Sequence, residues 1–298
     1  MSKLKSFLKK VIKTISGYDI NGCGRGSYGL ARKNVEMESL YPGSIILREK
    51  TEDEVQGTRG IYDYLRRLRL KTILEKYQID VVLDVGANIG QFGRELRAMG
   101  YEGKIISFEP ISSAFEVLKQ VSGSDPNWEI HKLALGRQNG EQKIHVASDS
   151  AFTSFLKSNA WCEKQFGESA VGSREETVTV RRLDEVLNEM VEKREQARMY
   201  LKMDTQGYDL EAIAGLEGQY DGIFGLQSEI SVIPIYQGMP HLTESISFFE
   251  KAGFEIAGLY PVSQQSSTVQ VIEFDCLMVK SSRKKELELS NALSTAVS

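Results

Sequence analysis

The sequence predicts an α/β protein with a Rossmann-like, mostly parallel seven-stranded sheet and helices on both faces. From residue 79 onward, short runs rich in β-branched residues alternate with stretches of helical periodicity, the pattern of a parallel sheet with crossover helices. One apolar run ends in a glycine-bearing turn, DVVLDVGANIG at residues 80–90, and the next ends in an acid, Glu109. These features are typical of a doubly wound sheet with a ligand crevice at the carboxyl ends of its strands.

The elements can be predicted in chain order from this periodicity. Apolar positions recur at helical spacing over residues 52–77 and predict a first helix. The strands predicted after it cover residues 80–85, 104–108, 128–133, 198–203, 223–228, 254–260 and 272–279. The helices predicted between them cover residues 90–99, 111–122, 181–194, 207–216 and 241–252. An insertion carries two further predicted strands, at 142–146 and 177–180, around a polar stretch at 147–175.

The chain is predicted to have four segments. A basic amphipathic helix at 1–16 precedes an N-terminal helical and irregular extension at 17–78, which contains one short strand at 44–47. The main α/β domain spans 79–280, and a polar tail follows at 281–298.

The first 15 residues place apolar side chains and lysines on opposite faces of a helix. The apolar positions are too interrupted for a bilayer-spanning segment, and no small-residue cleavage site follows. Two interpretations remain open: peripheral contact of residues 1–15 with an anionic membrane, or packing of the apolar stripe on the protein or a second subunit. We expect a cytoplasmic protein, with peripheral attachment to the inner face of the membrane as the alternative.

The composition excludes several classes of function. The 298-residue chain has a formal net charge of −4 and a pI near 5.7, which argues against general nucleic-acid binding. The cysteines and histidines are Cys23, Cys162, Cys276, His131, His145 and His241. They are few and widely spaced, so we predict neither a disulfide framework nor a protein-built metal site, and the cysteines suit a reducing compartment.

The sharpest local feature is the turn after the first strand of the main domain. Gly86 permits a positive φ and close approach of a ligand, while Gly90 lets the next helix pack near the strand. The first N–H groups of that helix then face the crevice. Glu109 follows 23 residues after Gly86 and is placed to accept two hydrogen bonds from a ribose diol. A tight turn without a ligand is the alternative for the glycines alone.

An acid two residues before the first glycine distinguishes two ligand classes. The dinucleotide fingerprint is G-x-G-x-x-G, whereas this loop reads G-x-x-x-G. Asp84 would disfavour a pyrophosphate but suits a cationic sulfonium and an amino group. The comparison favours S-adenosylmethionine over a nicotinamide dinucleotide as the cofactor.

Five blocks occur in a characteristic order: DVGANIGQFGRELRAMG, SFEP, ALG, LKMDTQGYDLEAIAGLEG and QSEISVIPIYQGMP. Together they resemble the FkbM-type S-adenosylmethionine-dependent methyltransferases, and the resemblance covers residues 55–280. It implies the Rossmann-like class I methyltransferase fold. Most members of the family are O-methyltransferases that act on hydroxyls of sugars or secondary metabolites.

The resemblance also implies the residues of a cofactor site. Carried over by position, they are Asp84, Gly86, Asn88, Gly90, Glu109, Leu133, Ala134 and Ser154. The first four would form the wall on the methionine side, the glutamate would bind the ribose, and the leucine and alanine would lie near the adenine. The serine belongs to a serine-rich family segment near the cofactor, with an ordinary loop as the alternative.

Three residues are candidates for the chemistry of methyl transfer. Asp204 ends the fourth strand and is the first candidate for general base, with a helix N-cap as its alternative role. Glu229 would face the same crevice from the fifth strand, or else be an exposed acid at a strand end. His241 is a third candidate base, or simply the first residue of a helix. Gln206 and Asp209 fall at family motif positions, and the role of Asp209 stays open.

Two other functions are compatible with parts of the sequence. An NAD-linked sugar oxidoreductase or epimerase would use a related fold, but its Tyr-x-x-x-Lys pair is missing after the cofactor loop. A non-catalytic, membrane-associated partner in glycan assembly would explain the basic N-terminal helix. The methyl acceptor itself, a small molecule or a glycan, is not identified by any motif.

Overall fold

The structure, a computed structural model, describes residues 18–22, 28–32, 35–38, 46–49, 54–265 and 267–281. The predicted amphipathic helix at 1–16 and residues 282–298 of the predicted tail lie outside the described residues. The chain divides into two compact units, Met1–Tyr64 and Leu65–Ser298. In the described part of the chain, no helix has the length and apolar character needed to cross a lipid bilayer.

Among its described residues, the first unit contains four short strands. β1 (Tyr18–Gly22) pairs antiparallel with β2 (Tyr28–Arg32), and β3 (Val35–Glu38) pairs antiparallel with β4 (Ile46–Glu49). The prediction of a connector with a single strand at 44–47 was therefore wrong. Backbone hydrogen bonds hold such hairpins together and do not depend on side-chain type. A glycine-rich sequence with little alternation of apolar and polar residues therefore does not indicate them.

The remaining elements follow the predicted alternation. The first helix is α1 (Glu54–Lys76). The strands are β5 (Val81–Val85), β6 (Lys104–Phe108), β7 (Trp128–His131), β8 (Ala134–Gly136), β9 (Gly140–Ala147), β10 (Gly172–Arg182), β11 (Met199–Met203), β12 (Ile223–Ser231), β13 (Phe254–Gln265) and β14 (Gln270–Lys280). The helices are α2 (Gln91–Ala98), α3 (Ser112–Ser122), α4 (Ala160–Phe166), α5 (Leu183–Met190), α6 (Asp209–Ala214) and α7 (Leu242–Lys251).

The main sheet has seven strands in the order β13-β14-β12-β11-β5-β6-β7. The five strands from β12 to β7 are parallel, while β14 runs antiparallel between β12 and β13. The predicted α/β class, with a mostly parallel seven-stranded sheet, is confirmed. Following the chain, β5, β6 and β7 lie side by side toward one edge of the sheet, and β11 then lies on the other side of β5. This reversal creates a crevice between the carboxyl ends of β5 and β11.

The core explains why β5 reads as an uninterrupted apolar run. All five of its residues are buried, because helices cover both faces of the sheet. Leu83 packs with Leu187 of α5 on one face, and Val82 packs with Leu70 of α1 and Leu96 of α2 on the other. The strand is thus held rigidly from both sides, and the loop that follows it has a fixed base.

The insertion forms a separate three-stranded sheet in the order β8-β10-β9. The strands predicted at 142–146 and 177–180 lie within the longer β9 and β10. Because β10 continues to residue 182, the helix predicted at 181–194 begins at Leu183 and ends at Met190. The polar stretch between the two strands is not all loop, since it contains α4.

Candidate active site

The loop after β5 contacts the end of β11 at the strand-order reversal. Gly86 has φ of 74°, and a Cβ built on it would lie 2.0 Å from the carbonyl oxygen of Asp204. The Asp204 N–H donates to the carbonyl of Val85 at 3.1 Å. A side chain at Gly86 is therefore excluded both by the left-handed backbone and by the neighbouring strand. At this glycine, the predicted cofactor loop lies against the backbone of Asp204, the predicted general base.

Glu109 organises the same loop from β6. Its two carboxylate oxygens accept the N–H groups of Asn88 at 2.7 Å and of Ile111 at 2.8 Å. Asn88 and Gly90 have φ of 49° and 83°, so the loop turns sharply before α2 begins. Burial raises the pKa of Glu109 to about 7, although these two N–H donors and the Lys202 charge lower it. Each oxygen still has a lone pair for a ligand.

This pKa predicts opposite pH responses of stability and cofactor affinity. The Glu109 carboxyl is protonated below about pH 7, so its stabilising contribution to the free fold is lost as pH rises through about 7. Only the ionised form accepts both hydrogens of a diol, so affinity for S-adenosylmethionine should rise about tenfold between pH 6 and 8. Calorimetric titration across this range measures the effect, and Glu109→Gln should remove the pH dependence. An unchanged pH profile in that variant would contradict the assignment.

Asp84 lies beneath the loop in a buried polar chain. It is fully buried and faces Lys202 across β5 and β11, with its Oδ1 3.1 Å from the Lys202 Nζ. The lysine also donates to the Gly86 carbonyl at 3.0 Å. Ser107 Oγ donates to Asp84 Oδ2 at 3.1 Å and accepts from Trp128 Nε1 at 2.9 Å. These polar contacts hold the backbone of the Gly86 loop in place from the core of the sheet.

The electrostatic argument from Asp84 therefore changes. The sequence suggested an acid whose charge faces the ligand, but Lys202 compensates this charge inside the core. Asp84 supports the backbone of the loop and does not line its surface. The exclusion of a pyrophosphate by this residue was not a sound reason to prefer S-adenosylmethionine.

The other predicted cofactor residues are also buried. Leu133 precedes β8 and Ala134 begins it, and both pack in apolar clusters. The Ser154 hydroxyl donates to the backbone carbonyl of Gln206 at 2.6 Å and accepts the N–H of Leu156 at 3.0 Å. Ser154 thus ties the insertion to the loop after β11. Contact of these three residues with a cofactor stays a prediction.

Gln206 connects the predicted catalytic acids. Its Nε2 donates to Asp204 Oδ1 and to Glu229 Oε2, each at 2.9 Å. The Tyr236 hydroxyl donates to its Oε1 at 3.0 Å, so the amide orientation is defined from both sides. Its φ of 53° and the Ser154 contact fix its backbone. The structure brings both predicted acids to one amide.

Asp209 closes the turn that carries Gln206. It is buried and accepts hydrogen bonds from the Thr205 N–H at 2.9 Å and from the Ser228 hydroxyl at 2.6 Å. Burial raises its pKa. The role that the sequence left open is thus a link between the turn and β12. Asp204 does not cap α6, because that helix begins at Asp209 with Tyr208 as its N-cap residue.

The carboxylates around Glu229 repel one another. Glu229 lies within β12 and is only partly exposed, so it is not the exposed strand-end acid of the alternative interpretation. Burial, followed by the charges of Glu273 and Asp204, raises its pKa well above the ordinary value. Burial also raises the pKa of Glu273 to about 7 and that of Asp275 to about 6, although Arg66 lowers the latter. The carboxyl end of the sheet thus holds several buried carboxyl groups that retain protons more readily than free ones do.

The sequence of this domain matches a known protein family. The model of the methyltransferase FkbM domain matches residues 84–256, more than half of the chain. The chain belongs to the FkbM methyltransferase family. Methyl transfer is the activity that this membership supports, and the resemblance seen in the sequence is confirmed. The match begins at Asp84 and includes Glu109, Asp204 and Glu229.

Similar solved structures are distant. Fibrillarin from Aeropyrum pernix with bound S-adenosyl-L-methionine is 15% identical, covers 88% of this chain and 94% of that chain, and has a TM-score of 0.42. Magnesium protoporphyrin IX methyltransferase from Synechocystis PCC 6803 with bound S-adenosylmethionine is 11% identical, covers 78% of this chain and 86% of that chain, and has a TM-score of 0.42. An rRNA methylase from Streptococcus thermophilus is 14% identical, covers 73% of this chain and 95% of that chain, and has a TM-score of 0.39. No curated protein matches the sequence.

In this FkbM-family chain, His241 caps a helix. Its Nδ1 accepts the Thr243 N–H at 3.3 Å, while the Glu244 side chain accepts the His241 N–H at 2.9 Å. The two contacts form a capping box at the start of α7. This is the helix-terminal role that the sequence offered as the alternative, and a role as general base stays a prediction.

Two site residues were missed by the sequence analysis. Lys202 and Glu273 lie in apolar strands, where a charged side chain is unusual unless it has a partner. An available signal was that Asp84 and Lys202 each stand one residue before the last residue of their strands, β5 and β11. Residues at matching positions of adjacent parallel strands face each other. No comparable signal pointed to Glu273, since its neighbours come from distant segments.

Removing the Ser154 hydroxyl should loosen Gln206 without disturbing the cofactor loop. We expect Ser154→Ala to lower kcat about tenfold, because one hydrogen bond that fixes the Gln206 backbone is lost. Affinity for S-adenosylmethionine should stay within about twofold of the wild type, and Ser124→Ala, at an exposed serine, is the matched control. The opposite result, weaker cofactor binding at unchanged kcat, would instead assign Ser154 to the cofactor site.

Proposed function

We propose that this methyltransferase uses S-adenosylmethionine to methylate a hydroxyl on a sugar, a glycan or a secondary metabolite. The observation that carries the proposal is the position of Asp204. Its carboxylate is 43% exposed, its backbone touches the Gly86 loop, and its orientation is fixed by Gln206. A carboxylate held in this way beside the cofactor loop is suited to accept the proton of an alcohol.

The residues of the loop fit the proposed cofactor. The backbone at Gly86 leaves no room for a side chain, and both Glu109 oxygens retain lone pairs for a ribose diol. The residues that would hold it are Gly86, Asn88, Gly90, Glu109, Leu133 and Ala134. Asp84 and Ser154 would act from behind, by holding the two loops. When bound, S-adenosylmethionine supplies a methyl group activated by a positively charged sulfur.

The protein must also manage the proton that the acceptor hydroxyl loses. Asp204 is the first candidate to accept it, because it is the more exposed of the two acids joined by Gln206. Glu229 is the second candidate, since a carboxyl with a raised pKa binds a proton readily near neutral pH. The shared amide donates to both carboxylates and keeps them oriented while one of them takes up the proton of the hydroxyl.

Calorimetric titration with S-adenosylmethionine and with NAD separates methyl transfer from the alternative oxidoreductase. We expect binding of the first and no binding of the second. Binding of NAD alone would overturn the proposal.

The acceptor can be sought by mass spectrometry. Incubation with S-adenosylmethionine and candidate alcohols should give products heavier by the mass of one CH₂, and fragmentation should place the methyl on oxygen. A methyl found on nitrogen or carbon would contradict O-methylation while leaving the methyltransferase activity in place.

A further inference from the structure

Three carboxylates lie together at the carboxyl end of the sheet: Asp204, Glu229 and Glu273, which we call the acidic cluster. The first two share the Gln206 amide, with both oxygen to nitrogen distances at 2.9 Å. Glu273 comes from β14, directly opposite Ser231 of β12. Opposite residues project to the same face, as do alternate residues along a strand, so Glu229 and Glu273 share one face of the sheet within reach of each other.

One oxygen of Glu273 lacks a partner. The Ser263 hydroxyl donates to its Oε2 at 3.1 Å, but Oε1 is buried without a hydrogen bond among the described residues. The side chain is only 6% exposed. Burial raises the pKa of Glu229, and the charge of Glu273 raises it further. A buried carboxylate oxygen without a donor is costly, and its presence here indicates that a donor is supplied from outside the chain.

The cations near the cluster are already engaged. Lys202 contacts Asp84 at 3.1 Å and lies farther from Asp204, at 3.6 Å. Arg66 is paired with Glu95 at 2.8 Å and with Asp275 at 3.3 Å. In the part of the chain that the structure describes, no lysine or arginine forms a salt bridge with Glu229 or Glu273. Glu229 and Glu273 therefore lack a cationic partner in this part of the chain; burial and the neighbouring carboxylates raise the pKa of both, and a bound cation would favour their ionised forms.

We propose that the methyl acceptor carries a protonated amino group close to the hydroxyl that is methylated, and that the acidic cluster binds this ammonium. The inference rests on the proposed function and specifies its substrate class: amino alcohols such as amino sugars. An ammonium brings three donors and a positive charge, which are what Asp204, Glu229 and the unpartnered Glu273 oxygen lack. The ammonium would donate to all three carboxylates, including the unpartnered Glu273 oxygen, and its charge would favour their ionised forms.

Other acceptor classes match the cluster less well. A phosphorylated or carboxylated acceptor would meet uncompensated carboxylates and be repelled. A neutral polyol would supply donors but no positive charge to favour the ionised carboxylates. A divalent cation is a further candidate in principle. However, among the described residues no group of three or more His, Cys, Asp or Glu side chains is arranged to hold a metal ion.

Matched glycosides test the inference. The methyl glycosides of glucose, galactose and mannose would each be compared in 2-amino, 2-hydroxyl and 2-acetamido form. Binding to the enzyme saturated with S-adenosylhomocysteine would be measured by calorimetry at neutral pH, and methyl transfer by mass spectrometry. We expect the 2-amino form to bind about tenfold or more tightly than its counterparts, as charge-assisted hydrogen bonds predict.

A variant pair separates the cluster from general effects of charge. Glu273→Gln keeps the shape of the side chain and should lose most of the preference for the amine. Glu250→Gln, at an exposed acid on α7, should keep it. Equal or weaker binding of the 2-amino forms, no binding by any of them, or a preference that survives in Glu273→Gln would each overturn the inference. A preference for the amine that is lost in Glu273→Gln, but without methylation of oxygen, supports ammonium binding by the acidic cluster and counts against the proposed function.

Discussion

Replacing Lys202 with methionine is expected to lower the free energy of unfolding by about 3–5 kcal/mol, since it leaves the Asp84 charge buried and unpaired. Burial lowers the pKa of Lys202, but Asp84 and Asp204 raise it above its ordinary value overall. The lysine is thus charged at neutral pH, and its stabilising contribution is lost only as pH rises through this elevated, alkaline pKa. Urea denaturation followed by circular dichroism at neutral pH measures the loss.

The matched control removes both charges. The double variant Asp84→Asn with Lys202→Met leaves no buried ion, so it should recover most of the stability that Lys202→Met loses. The Ser107 hydroxyl can still donate to the asparagine oxygen at position 84. A loss below about 1 kcal/mol in Lys202→Met would show that the Asp84 charge is compensated in another way.

Replacing Asp204 with asparagine is expected to reduce kcat by about two to four orders of magnitude, the usual range for loss of a general base. The asparagine oxygen can still accept the hydrogen bond from Gln206, so the loop should keep its shape. The dissociation constant for S-adenosylmethionine should therefore change by less than about threefold, while turnover collapses.

Glu229→Gln gives the comparison for this prediction. If Asp204 is the base, Glu229→Gln should reduce kcat less than Asp204→Asn does, since it removes only the second acid at the shared amide. A larger effect of Glu229→Gln would reassign the base to Glu229. Wild-type turnover in both variants would remove the acids from the mechanism altogether.

The sheet could be predicted from sequence because its signals are local. Apolar runs ended by turn residues mark the parallel strands, and the glycine spacing marks the crevice beside Gly86. Element ends were less predictable, because pairing with distant strands sets them. The strand predicted to end at residue 228 continues to Ser231, since β14 pairs with it along that length. The strand predicted to end at residue 260 likewise continues to Gln265.

The site was only partly predictable for the same reason. Glu109 and Asp204 directly follow the last residues of their strands and were identifiable from these positions. The partners that define their chemistry come from elsewhere in the chain: Lys202 acts on Asp84 through strand register, and Glu273 reaches Glu229 across an antiparallel pair. Gln206 was placed by a family motif, but its bridge between two acids depends on a left-handed turn that no spacing rule indicates.

Two serines of the insertion contact two different loops of the site. The Ser150 hydroxyl accepts a hydrogen bond from Asn88 Nδ2 at 3.1 Å, and the Ser154 hydroxyl donates to the Gln206 carbonyl at 2.6 Å. A substitution that displaces residues 150–154 is therefore expected to disturb the Gly86 loop and the Gln206 turn together. For an engineer, the other positions of residues 147–175 are the ones to randomise, with Ser150 and Ser154 kept constant.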